Sequence, residues 1–257
     1  MVVERGSWSA EAHGSPGVSA PGAVVASLSL LLVAVPFASL MFLVEHRWAP
    51  LLRIDVAARD ALHGFALDHD GFVSLMRTLS WLGSTRVWFV VYAVVALVLL
   101  RARHVSLAVF VVVTVAGSSL LNSTVKAIVG RTRPVLADPL AQAGGWSFPS
   151  GHAQAALVGY VVLVLLLLLF MSPAWHWRRR LACAVAVVMT LAIGFSRIAL
   201  GVHYLSDVLA GYLLGAAWVL AMIAAFAAVS RGWSAVDRVS RDRPVSRGRW
   251  GRLVGRR

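Results

Sequence analysis

From residue 155 to residue 171 no side chain carries a charge, and with its flanks this run is long enough to cross the hydrocarbon of a bilayer as a helix. Comparable runs occupy 23–44, a stretch from 81 or 87 to 100, 105–129, 181–200 and 206–229, and the run at 155 extends to 152–171. Inside hydrocarbon every backbone donor and acceptor must be satisfied within the segment or by a closed sheet, and runs this long and apolar satisfy them as helices. The expected fold class is all-α: a polytopic membrane protein built as a bundle of six transmembrane helices. A hydrophobic content of 59% agrees and excludes both a disordered chain and an ordinary soluble domain.

Three regions follow from composition. Residues 1–22 mix Gly, Ser, Pro and Ala without periodicity and read as a disordered leader. Residues 23–229 form the helical domain. Its first run exceeds a signal-peptide core and is followed by Glu45, His46 and Arg47 rather than a small-residue cleavage site, so the helix is retained. Within 51–82, Ile54, Ala58, Ala61 and Phe65 recur at helical spacing with Arg53, Arg59, Asp60 and His63 between them, the pattern of a helix lying in the membrane interface. Asp68, His69 and Asp70 are adjacent and followed by Gly71, which reads as a solvated loop rather than a metal site.

The net charge of +13 would point to nucleic acid in a soluble protein. Here nine arginines fall from Arg231 onward, in a basic tail expected to be disordered over 230–257, and they read as charge held beside anionic lipid, with no nucleic-acid partner. Placing the amino terminus in the cytoplasm puts fifteen basic residues inside and nine outside, and an even number of spans brings both termini inside. The single cysteine, Cys183, lies in an apolar run and forms no intrachain disulfide.

With this topology three polar clusters reach the outer face: Lys126 to Pro134, Pro149 to His152, and Ser196 to Asp207. Polar groups at a membrane helix end are costly unless they face water or serve chemistry. Lys126 is the only lysine, and with Arg133 and Arg197 it supplies cations; Ser150 and the backbone at Gly151 supply neutral donors at a helix start. Such a set suits a phosphate, whose equatorial oxygens cations stabilise as the phosphoryl group transfers. His203 and Asp207 are four apart, so on a helix the carboxylate takes the proton of one ring nitrogen and leaves the other to attack phosphorus. His152 stands opposite as the acid. Isolated histidines such as His46, His63, His104 and His176 read instead as packing or interface residues.

Lys126-x6-Arg133-Pro134, Pro149-Ser150-Gly151-His152 and Ser196-Arg197-x5-His203-x3-Asp207 resemble the three-part signature of the type 2 phosphatidic-acid phosphatase superfamily, with all eleven specified positions present. The resemblance implies a metal-independent lipid phosphate phosphatase without a cofactor, working through a phosphohistidine on a membrane lipid phosphate. It makes His203 the nucleophile, Asp207 its partner and His152 the acid, with Lys126, Arg133, Ser150, Gly151 and Arg197 as the phosphate-binding set. The expected site faces the extracytoplasmic side of the plasma membrane. A polyprenyl diphosphate carrier lipid is the preferred substrate, with phosphatidic acid or phosphatidylglycerol phosphate as alternatives; 135–145 and 51–82 are the expected head-group and access elements. A haloperoxidase-like site fits less well because those relatives are soluble, and a transporter or lipid-binding scaffold would carry charges along the depth of its helices.

Overall fold

The computed structural model describes residues 20–241, with side chains described over 28–229. The leader expected over 1–22 lies outside those residues up to 19 and the tail expected over 230–257 lies outside them beyond 241; at 20–22 and 230–241, where disorder was expected, the chain is helical. Eight α-helices follow in order: α1 (Ala20–Glu45), α2 (Ala49–Leu67), α3 (Asp70–Leu82), α4 (Thr85–Arg101), α5 (Val105–Val129), α6 (Gly151–Phe170), α7 (His176–Ala199) and α8 (Leu205–Arg241), with a 3-10 turn at Pro173–Trp175. No strand occurs among the described residues.

Five helices are long and apolar enough to span a bilayer: α1, α5, α6, α7 with its preceding turn, and α8. A sixth span requires α3 and α4 together, which meet at a 44° bend. The expected second span is therefore a broken one. At 17 residues α4 is roughly 25 Å long, short of the ~30 Å hydrocarbon core. Gly83 ends α3, and Ser84 starts α4 by accepting from the Val87 amide at 3.4 Å.

The segment 51–82 forms two helices, α2 and α3, broken at 68–69 within the expected loop. Ile54 and Phe65 are exposed, whereas Asp55 and His63 are buried on α2. Ile54 and Phe65 thus face outward as toward hydrocarbon while Asp55 and His63 face the bundle, and Arg53 and Asp60 stay exposed, as on a helix near the membrane surface. Helix α3 belongs to the bundle too: its Val73 and Met76 pack with Ala66 of α2 and with Ala199 and Leu200 at the end of α7.

Helix α4 shows the same inside-out logic. Trp88, Tyr92, Ala96 and Leu99 are buried at helical spacing, while Val90, Val94 and Val98 are exposed. The buried stripe enters a core with Val111 of α5, Val158 and Val162 of α6 and Val219 of α8. Close approach is made possible by Gly159, where a Cβ would stand 2.6 Å from the Trp88 ring. Between α5 and α6 the Asn122 amide donates to Gln154 Oε1 at 2.7 Å, and Gln154 Nε2 donates to Ser118 O at 2.9 Å and Oγ at 2.8 Å. Interhelical bonds of this kind contribute about 0.6 kcal/mol each within a membrane, and they fix the register of α6, whose first turn carries the site.

Candidate active site

Three chain breaks meet at one end of the bundle. Helix α5 ends at Gly130, whose φ of 59° suits a residue without a Cβ, and the loop that follows carries Arg131 and Arg133. Helix α6 starts at Ser150, which caps it by accepting from Ala153 N at 3.5 Å. Between α7 and α8 a tight turn at Gly201, φ 71°, presents His203.

These segments surround a cavity of about 570 Å³ whose wall includes Lys126, Arg133, Gly151, His152, Arg197 and His203. Six of the eight residues expected at the site thus share one cavity wall. The other two stand behind it. Ser150 is fully buried with its hydroxyl committed to the helix cap, and its amide donates to Asp207 O at 2.8 Å. Asp207 is fully buried against His203. Away from the motifs, the cavity extends between α4, α5 and α6, past Trp88 and Asn122 to Tyr92 and Gly159. Arg77, Ser80 and Trp81 of α3 and 141–144 of the loop also line it, which puts parts of both expected access elements on the wall.

The cations are held in different ways. Lys126 Nζ donates to the carbonyls of Trp146 at 2.6 Å and Ser147 at 3.3 Å. Arg133 is pinned by carbonyls: Nε and Nη2 donate to Gly144 O at 3.2 and 3.0 Å, and Nη1 donates to Val202 O at 2.8 Å. Its pKa is lowered, first by burial, with Asp207 partly opposing. Arg197 is 5% exposed; it donates from Nη1 to Ser80 Oγ of α3, and its buried Nε has no partner. A buried guanidinium nitrogen without an acceptor is costly, and on a cavity wall it is a donor for an anion.

Around His203 the donors settle the tautomer. Arg133 Nη1 lies 3.0 Å from Nε2, and a guanidinium only donates, so Nε2 carries the lone pair and the ring proton sits on Nδ1. Nδ1 faces Asp207 Oδ2 at 3.3 Å. The same oxygen accepts from Tyr204 N at 2.9 Å and from Ser147 Oγ. The His203 pKa is lowered to about 4, chiefly by burial and further by Arg133 and Arg197, with Asp207 pulling the other way. The ring is therefore neutral near pH 7.

Sequence reasoning counted one carboxylate here, and the structure adds a second. Asp55 of α2, fully buried, accepts from Arg131 Nη2 at 2.7 Å, while Arg131 Nη1 donates to Asp207 Oδ1 at 2.7 Å. Burial pulls the Arg131 pKa down, but the two carboxylates outweigh it and leave it raised. Ser147 and Ser80 were also missed: each touches a motif residue through its hydroxyl, and a lone serine gives no signal in a sequence. Among the described residues no cluster of His, Cys, Asp and Glu has the makings of a metal site, and no carboxylate is on the cavity wall. That donor set suits an anion rather than a divalent cation.

Comparison with known proteins agrees in region and in fold. Phosphatidylglycerophosphatase B of Bacillus subtilis (strain 168) is 34% identical over 96 residues, 37% of this chain, and the match spans about half (46%) of that relative's length. The crystal structure of a transmembrane PAP2-type phosphatidylglycerolphosphate phosphatase from Bacillus subtilis superposes with a TM-score of 0.69 at 23% identity, covering 76% of this chain and 94% of that one. The sequence profile of the PAP2 superfamily matches residues 107–231, the stretch that contains all eight candidate positions, and over that stretch the chain is a member of the PAP2 superfamily.

Proposed function

We propose that this chain is a membrane lipid phosphatase that removes a terminal phosphate by forming a phosphohistidine on His203. The observation that carries this reading is the joint placement of Lys126, Arg133, Arg197, His152 and His203 on one cavity that runs on into the helix bundle. Lys126, Arg133, Arg197 and the Gly151 amide hold the phosphate oxygens. The Nε2 lone pair of His203 attacks phosphorus in line with the ester oxygen, while Nδ1–H stays with Asp207. As the P–O bond breaks, His152 gives its proton to the leaving oxygen; it then takes a proton from the water that attacks the phosphohistidine, releasing inorganic phosphate and restoring His203. Ser150 serves this cradle as the cap that aims the first turn of α6.

The substrate reading moves from the polyprenyl diphosphate expected from sequence to a lipid phosphate monoester of the phosphatidylglycerol phosphate kind, because the relatives in sequence and in fold are named for it. The arginine distribution supports cytoplasmic termini and an extracytoplasmic site in the plasma membrane. With Cys183→Ser, a cysteine placed at Gln142 then reacts with an impermeant thiol reagent in intact cells; labelling only after lysis reverses the orientation.

Phosphate release from a panel of lipid monophosphates and diphosphates in detergent, with chelator present, tests the function. Release by the parent that His203→Ala abolishes is expected, fastest with phosphatidylglycerol phosphate. Equal release by His203→Ala sinks the catalytic assignment, and a preference for the diphosphate restores the carrier-lipid reading.

A further inference from the structure

Asp55 lies on α2, outside the three motifs and outside the 107–231 family match, yet it is among the most enclosed polar side chains of the bundle, at 0% exposure. Its carboxylate is saturated from two directions. Oδ1 accepts from Ser206 N at 2.8 Å, and Oδ2 accepts from Ser206 Oγ at 2.6 Å and Arg131 Nη2 at 2.7 Å. The Ser206 hydroxyl in turn accepts from Arg131 Nη1 at 2.7 Å. Arg131 is equally committed. Besides Asp55 and Ser206 it donates to Asp207 Oδ1 at 2.7 Å, and its guanidinium is covered by the Tyr204 ring at 4.2 Å from the centroid. With both terminal nitrogens on carboxylates and one face sealed, Arg131 is not available to a phosphate, unlike Arg133 two residues on.

The geometry points to a positioning role: Asp55 and Arg131 form a buried strap that holds Asp207 at the angle from which it orients His203. This rests on the phosphatase reading above. A carboxylate bonded only through Oδ2 is free to rotate about its Cβ–Cγ bond. With Oδ1 fixed by Arg131, Oδ2 is left facing the Nδ1–H of His203, beside Ser147 Oγ and Tyr204 N. Arg131 also offsets the negative charge of Asp207 at a place where an unpaired carboxylate is strongly disfavoured. Asp55 then neutralises the remaining charge of Arg131 and fixes its direction, because a planar guanidinium bridging two carboxylates has little freedom to turn. Chemistry on His203 thus depends on a helix that touches no atom of the substrate.

The rival reading is that the strap only fastens α2 to the bundle, and kinetics separates the two. Asp55→Asn keeps size and loses charge. Its kcat is expected to fall on the order of tenfold to a hundredfold, as for a small misplacement of a reacting group, with KM within about twofold of the parent, since the cavity wall is untouched. Arg131→Gln is expected to do the same, and Asp55→Asn added to Arg131→Gln to cost nothing further, because Asp55 acts through Arg131. Parent kcat in Asp55→Asn, or losses that multiply in the double variant, overturns the proposal. Arg131→Lys serves if Asp55→Asn does not accumulate: one ammonium cannot bridge both carboxylates, so the same kcat loss is expected, and full activity counts against the strap. Nitrogen NMR of histidine-labelled protein, with His203 assigned through His203→Gln, reads the positioning without turnover. The Nδ1–H tautomer is expected in the parent and a mixture in Asp55→Asn; an unchanged tautomer overturns the inference. A parent that shows the tautomer shift on Asp55→Asn but releases no phosphate would sink the phosphatase reading and leave the strap standing.

Discussion

Arg133 stands on His203: its Nη1 is 3.0 Å from Nε2, the nitrogen proposed to attack phosphorus, while the guanidinium also donates to the carbonyls of Gly144, Gly145 and, from the same Nη1, Val202. The contact occupies the Nε2 lone pair, and in the proposed mechanism it ends when a phosphate oxygen takes over the Nη1 hydrogen. On that proposal, recognition of the phosphate and release of the nucleophile are one event.

Arg133→Lys tests that coupling. Lysine keeps the charge but cannot reach the carbonyls and the ring together. A fall in kcat/KM of about 10²- to 10³-fold is expected, the usual cost of losing one aimed donor. Parent-like kinetics in phosphate-release assays would mean that charge alone suffices.

The pH dependence of stability follows from His203. Its folded pKa of about 4 lies below the ordinary 6.5, so between those values the unfolded chain binds a proton that the folded one refuses. Stability from this group is complete above pH 6.5 and declines as pH falls toward 4, by on the order of 3 kcal/mol across the window. Melting temperatures in detergent at pH 7.5 and pH 5 are expected to differ more for the parent than for His203→Gln. Equal differences would show that the ring is not held neutral by burial.

Gly211 faces the first turn of α6. A Cβ there would meet Ser150 O at 2.5 Å and Gln154 N at 3.2 Å, both backbone atoms. Gly211→Ala is therefore expected to push α6 aside, costing about 1–3 kcal/mol in stability as overpacked cores do, and to lower kcat as Gly151 and His152 shift. A parent-like melting temperature would show that the turn can yield.

Gly64 is the opposite case. It lies in the last turn of α2 with nothing within 4 Å of a Cβ. Gly64→Ala is expected to raise stability by roughly 0.5–1 kcal/mol through helix propensity alone, read as a higher melting temperature with unchanged kcat.

The sequence made the site legible because its cations and histidines are separated by apolar helices, so convergence at one end was the economical reading. The bounds of α5 at residues 105 and 129 followed from the same contrast. Ile54 and Phe65 marked the apolar face of α2, and the structure leaves that face exposed, as a helix at the membrane interface would. Asp55 carried no signal, being 152 residues from Asp207 in the chain (207 − 55) and joined to it only through Arg131. Nor does anything in Gly130-Arg131-Thr132-Arg133 tell which arginine meets a carboxylate and which meets a histidine; the position of α2 decides it.

Arg197 grips Ser80 on α3, and Arg131 grips Asp55 on α2. Both anchors precede residue 107, where the family match begins. A segment cut at the family boundaries would keep every motif residue and still strand two arginines whose counterparts stayed behind. The motif-bearing segment is thus not transplantable by its motifs: a chimera that grafts 107–231 onto the leading helices of a distant relative must bring a carboxylate and a hydroxyl at the matching places, or inherit a site with the right letters and the wrong grammar.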